Sequence, residues 1–315
     1  MRAVKAAVLV RRLAVLGASF LTLLLGAPAV HGQAAQARIE TPAAPAAQGF
    51  SRGLLWRVEV TGARPSYLFG TLHWDDERIL KLPPAVRHAF DASRTFAPEL
   101  QPDDEALHSF RRAMLTREPR LPQLLGEEAY QRIEPMLREH GVPREARAHL
   151  KPWAALLTLI QPRERPGIIL DSLLMMEAER QKKTIVPLET MDEQIAVFDG
   201  MADQDQLALL RDAADNYNAI QEAVRPLAHA YLRRDLAAIW QLNVDVMAGD
   251  ALAQPHVQVF LARILYERNE RMAQRLVPLL RAGGVFAAFG ALHLYGERGV
   301  PAHLVKLGYR VRRVY

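Results

Sequence analysis

Apolar and polar residues alternate over Leu54-Leu55-Trp56-Arg57-Val58-Glu59-Val60, pause at Thr61-Gly62-Ala63-Arg64-Pro65, and resume at Ser66-Tyr67-Leu68-Phe69. Period-two runs joined by Gly and Pro predict a β-hairpin. Pro83 and Pro84 open a helix through Phe90, and Arg94-Thr95-Phe96-Ala97 reads as a short buried strand leading to Pro98-Glu99. From about Asp103 to Leu174 the spacing is helical, cut by prolines at 119, 122, 135, 143, 152, 162 and 166. Residues 171–180 form an amphipathic helix, and Thr184-Ile185-Val186-Pro187-Leu188 is β-like, ending at Glu189-Thr190. Helical spacing returns from about 192 to 280, with Gly200 and Gly249 as stops. Gly283-Gly284 leads into Val285-Phe286-Ala287-Ala288-Phe289, a wholly apolar strand; Leu304 to Gly308 closes a helix, and 309–315 alternates as a terminal strand. Strands at both ends, one between them and helices in the gaps predict an α/β fold. Its mixed β-sheet is built from the N-terminal hairpin and C-terminal strands, flanked by helices, with a large helical insertion at about 103–180.

The first residues follow a different pattern. Arg2, Lys5, Arg11 and Arg12 precede an apolar run from Leu13 to Val30, and small residues follow. This is the order of a signal peptide, placed at 1–32, and it implies export to a periplasm. A retained N-terminal anchor is the competing reading; Gly, Ser, Thr and Pro within the run argue for cleavage and against stable membrane insertion afterwards. Residues 33–52 are rich in Ala, Pro and Gln and read as a flexible linker, leaving 53–315 as the folded domain.

That division changes the meaning of the charge. The whole chain carries a formal +5. Residues 1–32 hold four Arg or Lys and no acid, so the remainder is near +1. No basic run or aromatic-interleaved patch remains, and a nucleic-acid partner is not expected. Cysteine is absent, which excludes disulfides, thiol nucleophiles and a lipidated cysteine. An exported chain of this size then depends on its core, which suits a bacterial periplasm.

Candidate chemistry sits at the strand ends. The pentapeptide Phe-Gly-x-Leu-His occurs twice, at 69–73 and 289–293, each time after a short apolar run. Glycine lets another chain approach where a side chain would block it, and the following His falls at the rim of a sheet. Glu99 and Glu189 follow apolar strands in the same way. Ligands of open α/β sheets bind beyond the carboxyl ends of the strands, so His73, Glu99, Glu189 and His293 form the candidate site. Two His and a carboxylate suit a divalent transition metal; a His–Glu pair alone suits general acid–base work. No His-Glu-x-x-His is present, so spacing does not decide between them. Glu189 also reads as an acid favouring the N-terminus of the helix after it. Arg268 and Asn269 lie in a charged helical stretch, where the bland expectation is a solvated face with pairs such as Glu267–Arg271. The remaining histidines read as surface or packing residues.

Taken together, several separated segments resemble the TraB/GumN family. They are Trp56-Arg57-Val58, Tyr67 to His73, Leu82-Pro83, the strand ending in Glu99, Lys151-Pro152-Trp153, Leu170-Asp171, Val186 to Thr190 with Gln194, Arg268-Asn269, Phe289 to Leu294 with Gly296 and Gly299, and Gly308 to Val311. The resemblance runs from about 53 to 315. It implies a hydrolase-like site centred on the two Gly-x-x-His motifs and a Glu, here His73, His293 and Glu99. The animal Tiki proteins look like relatives and are metal-dependent proteases; erythromycin esterases and haem-binding ChaN proteins are more distant. The resemblance makes Glu189, Arg268 and Asn269 outer or substrate-orienting groups.

The expectation is therefore a periplasmic metal-dependent hydrolase, a peptidase of the Tiki type acting on a peptide or small-molecule substrate. His73, Glu99 and His293 would hold Mn, Co or Zn, with Glu189 as base or partner, and Arg268 and Asn269 toward substrate. Two alternatives stay open. One is a non-enzymatic ligand-binding or exopolysaccharide-associated accessory protein, GumN-like or haem-binding like ChaN. The other is a metal-free esterase using a His as base.

Overall fold

The computed structural model describes residues 49–163, 167–245 and 251–315. The signal expected at 1–32, the linker up to residue 48, and Gly249 lie outside the described residues. Six strands form one mixed sheet: β1 (Leu55–Glu59), β2 (Ser66–Thr71), β3 (Thr95–Pro98), β4 (Thr184–Ile185), β5 (Val285–Gly290) and β6 (Arg310–Arg313). Their order is β4-β3-β5-β2-β1-β6. β1 and β2 form the antiparallel hairpin, with Leu55 opposite Phe69 and Val58 opposite Ser66. β6 adds antiparallel to β1 at the edge. The other neighbours, β4 with β3, β3 with β5 and β5 with β2, are all parallel.

The burial of each strand follows from its place. All six residues of β5 are buried, because helices cover both faces of a parallel sheet and leave no polar side. Its all-apolar sequence suits a central strand. Phe286 lies at the middle of an aromatic cluster, 5.7 Å from Phe69 and 5.2 Å from Phe90 between ring centroids. β6 is the opposite case: Arg310, Arg312 and Arg313 are exposed, and charge on an edge strand discourages further pairing. β4 is shorter than its β-like run, since Pro187 cannot donate to a ladder. The chain nevertheless stays beside β3: the Val186, Leu188 and Glu189 amides donate to the carbonyls of Phe96, Pro98 and Glu99 at 2.9, 2.8 and 2.8 Å.

Helices Pro84–Ala92, Leu170–Arg180 and Glu267–Ala282 match the helical spacing at those positions. Prolines in the 104–180 stretch divide it into short helices. Pro152 begins the helix Pro152–Leu159, whose Trp153 stacks on Phe198 at 5.5 Å and donates its indole N–H to Asp199 at 2.7 Å.

The consequence for function is geometric. The four parallel strands point the same way, so the residues that follow them emerge at one edge of the sheet. In sheet order these are Glu189 after β4, Glu99 after β3, His293 after β5 and His73 after β2. Neighbouring parallel strands lie about 4.8 Å apart, which sets this row of four on the scale of side-chain contact.

Candidate functional site

The two pentapeptides meet on adjacent strands. In the β2–β5 register Gly70 lies opposite Phe289 and Thr71 opposite Gly290. A Cβ on Gly70 would stand 2.7 Å from Leu294 Cδ1 and 2.9 Å from the Ala291 Cα, so glycine here is what lets the second motif pack against the first. Past Gly290 the backbone enters a 3-10 turn, Ala291–Leu294, which carries His293 inward.

His293 is fully buried, and its tautomer can be read from its neighbours. Asn269 donates its Nδ2 to the Arg298 carbonyl at 2.7 Å, which turns its Oδ1 toward His293 Nδ1. An amide oxygen only accepts, so Nδ1 carries the proton. Burial, then the Arg268 guanidinium and His73, push the imidazole well below its usual titration range. The ring is therefore neutral near pH 7, and Nε2 presents a lone pair. That atom has no hydrogen-bond partner, and Glu99 Oε1 lies 3.5 Å from it.

Glu99 accepts the Gly290 N–H at 2.7 Å on Oε1 and an Arg268 N–H at 2.9 Å on Oε2. Burial raises its carboxyl above the usual range, with Arg268 offsetting part of that rise. Glu189 receives more of the same guanidinium: Arg268 Nη2 lies 2.6 Å and Nε 2.9 Å from Oε2. Arg271 at 3.1 Å and Gln194 at 3.3 Å complete its contacts. Burial would raise Glu189 too, but Arg268 outweighs it and leaves the carboxyl below its ordinary value. Glu189 is thus the committed anion of the pair, and Glu99 is the acid that exchanges a proton near neutrality.

His73 stands at the end of the row, where its Nε2 is 3.0 Å from Asp171 Oδ2. Asp171 is in the first turn of the helix Leu170–Arg180, and its Oδ1 accepts the Thr71 hydroxyl at 2.9 Å. His73 is also near enough to Glu99 and His293 to act on the charge of each. The row of strand ends is thus one electrostatic unit from Glu189 to His73.

Arg268 and Asn269 depart from the solvated-face expectation. Both are buried, and Arg271 pairs with Glu189 rather than with Glu267. The spacing held a signal for this: Arg268, Asn269, Met272, Ala273, Leu276 and Leu280 are the buried residues of their helix, one stripe at i, i+4 and i+8. A π-helical turn, Ala262–Tyr266, precedes them, and such turns are frequent at functional sites. The polar atoms of both side chains face other groups of the protein. Asp171 was legible only as a helix first-turn acid, and no local spacing ties it to His73 a hundred residues away.

The donors suit a transition metal in kind: a buried, unprotonated Nε2 with no hydrogen-bond partner, carboxylate oxygens beside it, and a second imidazole. Among the described residues, no three His, Asp or Glu side chains converge as a closed metal-holding group. Nor is any helix among the described residues long and apolar enough to cross a membrane.

Comparison with known proteins agrees with this geometry. The model of the TraB/PrgY/gumN family matches residues 54–313. Metalloprotease TIKI2 of Danio rerio is 26% identical, with 85% of this chain and 62% of that protein aligned. The metalloprotease TIKI homolog of Nematostella vectensis is 24% identical, over 82% of this chain and 66% of that protein. The protein YbaP of Escherichia coli (strain K12) is 24% identical, over 78% of this chain and 90% of that protein. The chain spans less than two thirds of the length of these Tiki relatives. No solved structure matches it. With a family match over nearly the whole described region, the chain belongs to the TraB/PrgY/gumN family.

Proposed function

We propose that this chain is a metal-dependent hydrolase of the metalloprotease type, exported to a periplasm, with a peptide as substrate. The observation that carries the proposal is the fully buried His293 Nε2, whose lone pair faces the Glu99 carboxylate with no hydrogen-bond donor between them. Two acceptors held that way are stable only with a proton or a cation nearby. The metalloprotease names of the Tiki relatives favour the cation.

His73, Glu99 and His293 would hold the ion. When bound, it would lower the pKa of its water toward neutrality and polarise the scissile carbonyl. The protein's own groups do the rest. Asn269 fixes the His293 ring so that Nε2 and not Nδ1 faces the site. Arg268 holds Glu99 and Glu189 in place and sets their unequal proton affinities. Glu99, raised by burial, accepts a proton from the attacking water and returns it to the leaving amine. Glu189 stays ionised as the counter-charge to Arg268. Arg268 and Asn269 act on substrate through Glu99 and His293 rather than by touching it.

The test is binding of Co²⁺ or Mn²⁺ by calorimetry, with peptide cleavage measured in parallel. His73→Ala and His293→Ala are each expected to lower metal affinity by at least about tenfold and to abolish cleavage. If both variants bind and cleave as the parent does, the reading fails. Cleavage that survives exhaustive chelation would select the metal-free esterase, and a haem absorption band on reconstitution would select the ligand-binding alternative.

A further inference from the structure

We propose that Asp171 is a further ligand of the same centre, bound beside His73; this rests on the metal-dependent reading above. Three observations point to it. Asp171 Oδ2 is shielded from solvent and has no aligned hydrogen bond, yet it stands 3.0 Å from His73 Nε2. Two donors that each lie about 2.1 Å from one ion are themselves about 3 Å apart, so this pair has the spacing of neighbouring ligands. Secondly, the other oxygen, Oδ1, is fixed by the Thr71 hydroxyl at 2.9 Å. A monodentate carboxylate held through its second oxygen is the usual support for a metal ligand. Thr71 and His73 leave the same strand end, so one segment supplies both the imidazole and the hydroxyl that aims the carboxylate.

The third observation is charge. Glu99 and Glu189 share Arg268, and Glu189 also meets Arg271. Among the described residues no Lys or Arg pairs with Asp171, and its ion-pair contact is His73. A first-turn position favours an acid through the helix dipole. That accounts for an anion at residue 171, but not for its oxygen turned toward an imidazole and latched by Thr71. A divalent ion at this end of the row would supply the missing positive charge, and Asp171 would match the charge that Glu99, already tied to Arg268, only partly meets.

The experiment uses the full chain and Co²⁺ alone as probe, read by calorimetry and by the visible absorption of the bound ion. The parent is expected to bind Co²⁺. Asp171→Asn, which keeps size and hydrogen bonding, is expected to weaken binding by at least about tenfold and to change the absorption band, because a ligand is lost. Thr71→Val, which leaves the carboxylate but frees it, is expected to weaken binding by less. Metal-free melting temperatures are taken for each variant; if Asp171→Asn does not fold, Thr71→Val decides by the same two readouts. A parent that binds and an Asp171→Asn variant of equal affinity and spectrum would overturn the role of Asp171 while leaving the metal reading intact. Weaker binding with an unchanged band would also overturn it, placing Asp171 outside the coordination sphere as a positioning residue for His73. A parent that binds no Co²⁺ overturns both.

Discussion

The two copies of Phe-Gly-x-Leu-His use the same letters for different ends. In the first, Gly70 is required by packing: the Ala291 Cα lies where its Cβ would be. In the second, a Cβ on Gly290 would meet Glu99 Oε1 at 3.6 Å and His293 Cδ2 at 3.7 Å, ordinary contacts. There the residue's functional atom is its N–H, donated to Glu99. The first motif continues as strand through Thr71, and its His meets an acid from a helix on the far side of the chain. The second turns at once into a 3-10 helix, and its His is held by Asn269, which is itself anchored to a main-chain carbonyl. His293 is fully buried and His73 is 7% exposed. Repetition in the sequence therefore marks a shared place, the end of a parallel strand, and not a shared role. The His293 half is a locked frame and the His73 half is the side nearer solvent.

The largest effect expected from breaking that frame is at Arg268. Its guanidinium is the common counter-charge of Glu99 and Glu189, and all three are buried. Removing one partner of such a cluster leaves uncompensated charge, at a cost of about 3–5 kcal/mol. Arg268→Met should lose about that much in urea denaturation, and Arg268→Met with Glu189→Gln should recover part of it. A loss below about 1 kcal/mol would mean that water, not Arg268, balances the two acids.

The same cluster shows what could be read from sequence. Strand identity was legible because β1, β2, β3 and β5 are short apolar or alternating runs bounded by Gly or Pro. The four strand-end residues followed from that alone. What sequence did not display is which strand inserts between which. β5, last of the parallel strands, lies between β3 and β2, and this order brings His293 between Glu99 and His73. Arg268 and Asn269 were hidden for another reason: neighbours such as Glu267 and Glu270 are exposed and give the stretch a solvated composition, while the buried stripe runs through it at helical spacing. Asp171 was hidden because its partners, Thr71 and His73, lie on another element.

A smaller effect separates the two glycines directly. Gly70→Ala forces a methyl against backbone at 2.9 Å and against Leu294 at 2.7 Å. Overpacking of this kind costs about 1–3 kcal/mol. Gly290 has φ −49° and ψ 137°, a conformation open to any L-residue, so Gly290→Ala should change stability by less than about 0.5 kcal/mol. Thermal denaturation of the two variants side by side checks both. Equal losses would remove the distinction drawn between a packing glycine and one that serves through its amide.

The smallest effect concerns how the locked half responds to acid. Arg275 pairs with Glu193 and also donates to the Leu188 carbonyl at 2.6 Å, next to Glu189. Glu193 closes a capping box with Thr190 at the start of the helix Met191–Asp199. The Arg275 hydrogen bond leads in lowering its carboxyl from 4.5 to about 2. A carboxyl depressed in the folded state contributes stability that is fully present above about pH 4.5 and is lost as pH falls toward 2. The pair is partly exposed, so Glu193→Gln should cost less than about 1 kcal/mol at pH 7. That difference from the parent should shrink as pH falls from 5 toward about 3, where the parent is losing the same charge. Urea denaturation of parent and variant at both pH values measures it. A difference that stays constant across the range would show that Glu193 acts through its cap alone, and that the segment carrying Glu189 is held independently of the Arg275 pair.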